Sequence, residues 1–219
     1  MRHYIMDLRR SIQAGEDSRV YNYTQREMAK STFRGLAGDT IDMMYNTGYY
    51  HDSDEDINRD IADMKNTAAI RRVIGHFRAI EYAMQHIDDV ITYEHIRHIH
   101  NLIYNGAPIH INRAMIAPFE HEPYEDSTGA LREVTALHTA IILSGGDTLT
   151  AGIISYWHCL NNYTAPFYVH AENRATYERH LKDVINAGNN DLREIHQNKL
   201  AEFFRIEQDR YRRETEGML

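Results

Sequence analysis

The chain lacks the features that mark a secreted or membrane protein. It has one cysteine, Cys159, so no disulfide can form within it. No apolar run approaches the roughly 18 residues of a transmembrane helix, and the first ten residues contain no apolar signal-peptide core. We therefore expect a cytoplasmic protein with no membrane partner. A secreted effector that leaves the cell without a signal peptide is the alternative.

An excess of positive charge is also missing. The chain has 24 Lys and Arg against 32 Asp and Glu, a formal net charge of −8. Nucleic-acid binding needs a basic face that neutralises phosphates, and the basic run RYRR at 210–213 lies in an otherwise charged tail. The composition predicts no nucleic-acid partner.

Proline is scarce and unevenly placed. Three of the four prolines fall between 108 and 123, and because proline fixes φ and removes a backbone donor, we expect a loop or short strand there. Elsewhere apolar residues recur at helical spacing, as in a long helix predicted from about Ile57 to Gln85. We predict one all-α domain with N-terminal helices at 1–56, a core at 57–190 and a C-terminal helix at 191–219.

Three smaller features have structural explanations. The run HDSDED at 51–56 alternates aspartates as calcium loops do, but it lacks their glycine and closing glutamate, so it is interpreted as an acidic helix start. Cys159 lies in an apolar run and is expected to be a buried thiol. His95 and His98 are one helical turn apart but have no third metal ligand nearby in sequence.

The segment Thr164 to Thr176 is where we expect the chemistry. It joins an apolar helix to the start of another, and a helix N-terminus attracts phosphate. Ala171 is small enough for close approach, and Glu172 could hold a divalent cation. Asn173 and Arg174 could reach phosphate oxygens. The alternative is that Glu172 and Arg174 are ordinary solvated charges.

This segment, APFYVHAENRAT at 165–176, resembles the Fic motif HPFx(D/E)GNGR(T), and Pro166, Phe167, Asn173 and Arg174 fit it. Four further Fic-like blocks occur in the expected order, and the resemblance covers roughly residues 28–190. They are KSTFRG at 30–35, DMKNTAAI at 63–70, ITYEHIRHIHNLIYNG at 91–106 and NRAMIAPFE at 112–120.

The resemblance implies a Fic-like helical bundle with a short β-hairpin flap at Met115, Ile116 and Ala117, which would hold a target segment by strand pairing. Fic enzymes transfer AMP from ATP to a Ser, Thr or Tyr hydroxyl of a target protein, with Mg²⁺ and with a histidine as base. The implied nucleotide-binding residues are Phe167, Ala171, Glu172, Asn173 and Arg174.

The sequence departs from the family at the catalytic position. Ala165 stands where the motif has its histidine, and a methyl group cannot accept a proton. The change is either engineered or natural. His170 is a displaced base or a loop histidine.

Other departures concern the metal and regulation. The loop is one residue longer than the motif, and Ala171-Glu172-Asn173 replaces GNG, so Glu172 would have to hold the metal. Arg34 stands where many relatives have an inhibitory glutamate that pairs with the motif arginine. Because Arg34 would repel Arg174, we predict no self-inhibition of that type.

Two functions follow as hypotheses. The first is a Fic-type protein AMP transferase scaffold that uses ATP and Mg²⁺ and is inactive as given because of Ala165. The second is a non-catalytic Fic-like protein that binds a nucleotide, or only a partner protein through the flap region 109–122. The implied partner is a target protein with a hydroxyl side chain. An antitoxin partner, typical of toxins in this family, and a homodimer are left open.

Overall fold

Helices make up nearly all of the secondary structure in the computed structural model, which describes residues 2–122 and 129–219. Those residues form no strand, and the all-α prediction is confirmed. The α-helices are α1 (Arg2–Gln13), α2 (Arg19–Thr32), α3 (Gly38–Asn46), α4 (Asp54–Asp60), α5 (Thr67–Gln85), α6 (Tyr93–Ile103), α7 (Arg113–Ile116), α8 (Ala130–Leu143), α9 (Thr148–Asn161), α10 (Arg174–Ile185) and α11 (Asn190–Thr215).

Helix α9 lies at the centre of the fold. Almost all of its side chains are buried, and it packs against α5, α6 and α8. A helix that is apolar on every side belongs in the interior, because no face of it is suited to water. Asp147 begins the helix, since its side chain accepts hydrogen bonds from the backbone amides of Leu149 and Thr150 at 2.9 and 3.0 Å.

The buried apolar side chains of the described residues form three clusters, two of which include residues of α9. The central cluster draws side chains from both ends of the chain, including Leu8 of α1 and Tyr211 of α11. A second cluster joins α3, α4 and α5, and a third joins α8, α10 and α11. Gly75 permits the close contact of α5 with α6, because a Cβ there would lie 2.1 Å from the Leu102 carbonyl oxygen. None of the described helices combines the length and apolar character needed to span a bilayer.

The helix predicted from Ile57 to Gln85 is wrong in its first part. Helix α4 ends at Asp60 and α5 begins only at Thr67, after Asn66 with φ 62°. A left-handed residue cannot continue a right-handed helix. The interruption lets the chain bury Ile61 in the second cluster. The acidic run before α4 does begin a helix, and Ser53 caps it by accepting from the Asp56 amide at 3.2 Å.

The predicted β-hairpin flap is also corrected. Met115 and Ile116 lie in α7, and Ala117 opens a 3₁₀ turn that reaches Phe119. Asn112 starts α7 by accepting a hydrogen bond from the Ala114 amide at 3.1 Å. Pro118 fits the first turn of the 3₁₀ helix, where its missing N–H has no partner to lose. The stretch is therefore helical rather than extended.

Candidate functional site

The Fic-like segment starts at a tight turn that ends α9. Tyr163 has φ 51°, and its amide donates to the Leu160 carbonyl at 3.2 Å. The next amide, of Thr164, donates to the Cys159 carbonyl at 2.9 Å. These two bonds form the Schellman pattern that closes helix C-termini. The turn lays the following residues against α11.

Ala165 is a packed core residue. It is 7% exposed and belongs to the central apolar cluster. Its carbonyl accepts a hydrogen bond from the side-chain amide of Gln208 on α11. Two residues later, the ring of Phe167 stacks on Phe204 of α11, with ring centroids 4.2 Å apart. The position of the motif histidine is thus occupied by a methyl group facing the protein interior.

His170 lies in the loop before the 3₁₀ turn that begins at Ala171, and its ring is engaged rather than free to act as a base. It is buried, its Nδ1 is hydrogen-bonded to a Glu207 carboxylate oxygen, and its Nε2 lies 3.0 Å from Glu214 Oε2. Burial acts to lower the pKa of His170, but the hydrogen bonds to Glu207 and Glu214 outweigh it and the pKa is raised. An imidazolium that donates to two carboxylates has no nitrogen left to accept a substrate proton.

The next predicted residues also engage α11. The side-chain amide of Asn173 donates from Nδ2 to Glu207 Oε1 at 2.5 Å, and the Glu172 carboxylate forms an ion pair with Arg210. The pKa of Glu172 lies below its usual range because of a hydrogen bond from its own backbone amide and the one from Arg210. Ala171 is half-buried and forms a 3₁₀ turn with Glu172 and Asn173. The Glu172 carboxylate is paired with Arg210 and does not line the cavity that Arg174 lines, and its role as a Mg²⁺ ligand stays a prediction.

Arg174 points to a different side of the segment and lines a cavity. Its Nη2 lies 3.5 Å from Thr148 Oγ1, its Nε lies 3.3 Å from Glu178 Oε1, and its guanidinium covers the Tyr177 ring at 5.3 Å. Both hydrogen bonds are long, and the guanidinium has five N–H donors in all. Arg174 therefore keeps donors for a ligand.

The cavity is small and lies where α2, α5, α8, α9 and α10 meet. Its volume is about 40 Å³, roughly the room of three water molecules. That space suits a group of phosphate size and not a whole nucleotide. The described residues that line it are Met28, Ser31, Thr32, His76, His138, Thr148, Leu149, Gly152, Ile153, Phe167, Tyr168, Val169, Arg174 and Tyr177.

The electrostatics of the cavity favour an anion. Although the chain has more acidic than basic residues, none of the described residues lining the cavity is Asp or Glu. Thr148 and Leu149 are the first residues of α9, and Arg174 is the first of α10. The Asp147 carboxylate already caps the start of α9, whereas no side chain caps the start of α10. The positive end of the α10 dipole, together with the Arg174 guanidinium, therefore adjoins the cavity.

Two buried histidines face this cavity in different states. His138 has both nitrogens engaged, Nδ1 with Ser155 Oγ and Nε2 with the Tyr177 hydroxyl, each at 2.9 Å. His76 is 2% exposed, and neither of its ring nitrogens has a hydrogen-bond partner among the described residues. Burial lowers the pKa of His138 to about 4 and that of His76 to about 3. Both rings are neutral at physiological pH.

The remaining predicted residues lie away from the cavity. None of the flap residues Met115, Ile116 and Ala117 lines it, and Ile116 is buried in the central cluster. Arg34 is exposed after α2 and does not line the cavity either. The absence of self-inhibition through Arg34 stays a prediction.

The other singled-out side chains have structural roles. His95 Nδ1 accepts from the Thr92 amide at 3.3 Å, and the His98 ring packs on Tyr82. In the described ranges, no group of three or more His, Cys, Asp or Glu side chains is placed to hold a metal ion. Cys159 is buried, and burial raises the pKa of its thiol. The expectation of a buried thiol is confirmed.

Sequence reasoning missed His76, Glu207 and Glu214. A signal existed for Glu207, which falls in register with the buried Phe203, Phe204 and Tyr211 on one face of α11. A carboxylate on an apolar stripe needs buried partners. His76 carries a weaker signal of the same kind, because it lies on the apolar stripe of α5. No local pattern indicates which side chains either residue meets.

Comparison of the chain with models of known protein families, with curated proteins and with solved structures gives no match.

Proposed function

We propose that this chain is a non-catalytic Fic-like protein that binds the phosphate end of a nucleotide at Arg174. One observation carries the proposal. The guanidinium of Arg174 and the starts of α9 and α10 face a cavity whose described lining contains no carboxylate. A guanidinium with unused donors at the uncapped start of a helix, here α10, is an arrangement that stabilises phosphate.

The chemistry of the segment argues against transfer of AMP by the chain as it stands. Proton removal from a hydroxyl needs a base within hydrogen-bond reach. Ala165 supplies none, and both nitrogens of His170 are engaged by Glu207 and Glu214. The chain therefore retains a binding function on a scaffold without its base.

The size of the cavity limits how ATP would bind. A phosphate group fits within it, and the nucleoside has to lie outside or widen the opening. Mg²⁺ in such complexes is held largely by phosphates and water. Glu172 would have to leave Arg210 before it could contribute.

The second candidate is a protein AMP transferase whose base was lost at Ala165, acting on a Ser, Thr or Tyr hydroxyl of a target protein. The buried stack of Phe167 on Phe204 favours it, because the loop anchor of the motif is kept.

A thermal-shift titration with ATP and Mg²⁺ tests the binding proposal. The unmodified chain should gain about 2.7 kcal/mol at a ligand concentration 100 times Kd. Arg174→Ala should lose this gain, while Arg179→Ala, at an exposed position on the same helix, should keep it. Equal responses of the two variants, or no response of the unmodified chain, would overturn the nucleotide site. The remaining candidate would then be a protein-interaction module using the region 109–122.

Restoring the histidine separates the two candidates. Ala165→His and the unmodified chain are each incubated with labelled ATP, Mg²⁺ and a cell lysate. We expect no labelled protein with either, because an imidazole at this position would enter the core rather than the cavity. Label that depends on Ala165→His would establish the transferase scaffold instead.

A further inference from the structure

His76 is a buried polar side chain without a visible structural purpose. It lies on the apolar face of α5 between Val73 and Phe77, is 2% exposed, and its edge-on contact with the Phe33 ring is apolar. No described residue hydrogen-bonds either ring nitrogen. A neutral imidazole has one N–H donor and one acceptor. Leaving them unpaired in the interior is costly, and an aliphatic side chain would avoid that cost.

The position of His76 supplies a purpose, because it lines the same cavity as Arg174. The other titratable side chains in the described lining are His138, Tyr168 and Tyr177, and none of them is negatively charged near neutral pH. The hydroxyl of Thr148, which accepts from Arg174, is free to donate. The Arg174 guanidinium, the Thr148 hydroxyl and the His76 ring therefore offer donors to an occupant within an otherwise largely apolar lining.

We propose that His76 is a ligand-binding residue, and that a tetrahedral oxyanion of the phosphate or sulfate type sits in the cavity between the His76 ring and the Arg174 guanidinium. This inference deepens the proposed function and rests on the same cavity. It assigns the buried end of the ligand to an oxyanion rather than to a nucleobase or a sugar. The oxyanion would be bound by His76 on α5 in addition to Arg174 on α10.

Sulfate is the probe for the first test, because it is fully ionised near neutral pH and its charge does not change on binding. Calorimetric titration compares the full chain with His76→Leu and with His98→Leu, a histidine exposed outside the cavity. Loss of a hydrogen bond to a charged group should weaken sulfate binding about tenfold or more in His76→Leu. His98→Leu should bind as the unmodified chain does.

Stability separates a binding role from a structural one. Because His76 makes no hydrogen bond in the free protein, His76→Leu should be at least as stable as the unmodified chain in urea. Sulfate binding of unchanged strength in His76→Leu would overturn the inference. This holds whether or not His76→Leu is less stable than the unmodified chain.

A structural test on the unmodified chain covers the case in which His76→Leu does not fold. Crystals grown with selenate should show its anomalous signal within hydrogen-bond distance of a His76 nitrogen and of the Arg174 guanidinium. Selenate bound only elsewhere, or not bound at all, would overturn the inference.

Nucleotide titrations show which proposal fails if one of them does. Sulfate binding that depends on His76, with no stabilisation by ATP, AMP or adenosine, would support the oxyanion and refute the nucleotide. Stabilisation by ATP that is unchanged in His76→Leu would support the nucleotide and refute the role of His76. Stabilisation by AMP but not by adenosine, lost in His76→Leu, would support both.

Discussion

Removal of the Glu207 carboxylate should release the Fic-like segment from α11. Glu207 is fully buried, and its two oxygens accept from the His170 ring, the His170 backbone amide at 3.2 Å and the Asn173 amide at 2.5 Å. Glu207→Ala leaves these donors buried without partners and leaves the charge of His170 uncompensated on that side. Breaking a buried charged pair in this way costs about 3–5 kcal/mol. Domains of this kind have only about 5–15 kcal/mol of stability in total.

The assay is urea unfolding followed by the fluorescence of Trp157, the single tryptophan, which is fully buried. With a urea slope near 3 kcal/mol per molar, the midpoint of Glu207→Ala should fall by more than about 1 M. Glu207→Gln keeps the shape and should lose less. Glu202→Ala, on the same helix but exposed and paired with Arg205, should not shift the midpoint measurably. A Glu207→Ala midpoint equal to that of Glu202→Ala would refute the reasoning.

The remaining predictions use the same unfolding measurement or a chemical probe. The pKa of His170 is raised in the folded state, so the stability that protonated His170 contributes is fully present below its unfolded pKa near 6.5 and is lost as pH rises through the folded pKa. The urea midpoint of the unmodified chain should therefore fall as pH rises above 6.5. This pH-dependent fall should be absent in His170→Gln. Gly75→Ala should cost about 3 kcal/mol, the upper end of the usual cost of overpacking, because its Cβ would clash with a backbone carbonyl of α6. Gly152→Ala, with open space around the new methyl group, should gain about 0.5–1 kcal/mol. Similar stabilities for the two variants would contradict the α5–α6 contact. Cys159 should resist a thiol reagent in the native chain and react once in urea, and rapid native labelling would show that it is not buried as described.

Much of the architecture could be predicted from the sequence because it depends on local physics. Apolar residues at helical spacing indicated an all-α chain, and polar side chains such as Thr92, which accepts from the His95 amide, begin the helices. The acidic run at 51–56 does start a helix. Arg174, which was expected near the start of a helix, is the first residue of α10 and lines a cavity. Its contact with phosphate stays a prediction.

Where local preferences competed with packing, the sequence alone was insufficient. The prolines between 108 and 123 predicted a loop or short strand, and the resemblance placed a β-hairpin at Met115 to Ala117. Residues 113–119 are instead helical, because a proline in the first turn of a helix has no hydrogen bond to lose. The stripe through Ile57 suggested one helix, but burial of Ile61 against α3 and α5 outweighs continuity there.

Partnerships between distant side chains were decided only by the tertiary structure. The sequence determined that position 165 has no side chain able to accept a proton, because the residue is alanine. It could not determine that His170 is held by Glu207 and Glu214, about forty residues further along the chain, or that His76 shares a cavity with Arg174. Hydrogen bonds and cavities depend on which helix faces meet, and that is set by the packing of the whole chain around α9 rather than by any one segment.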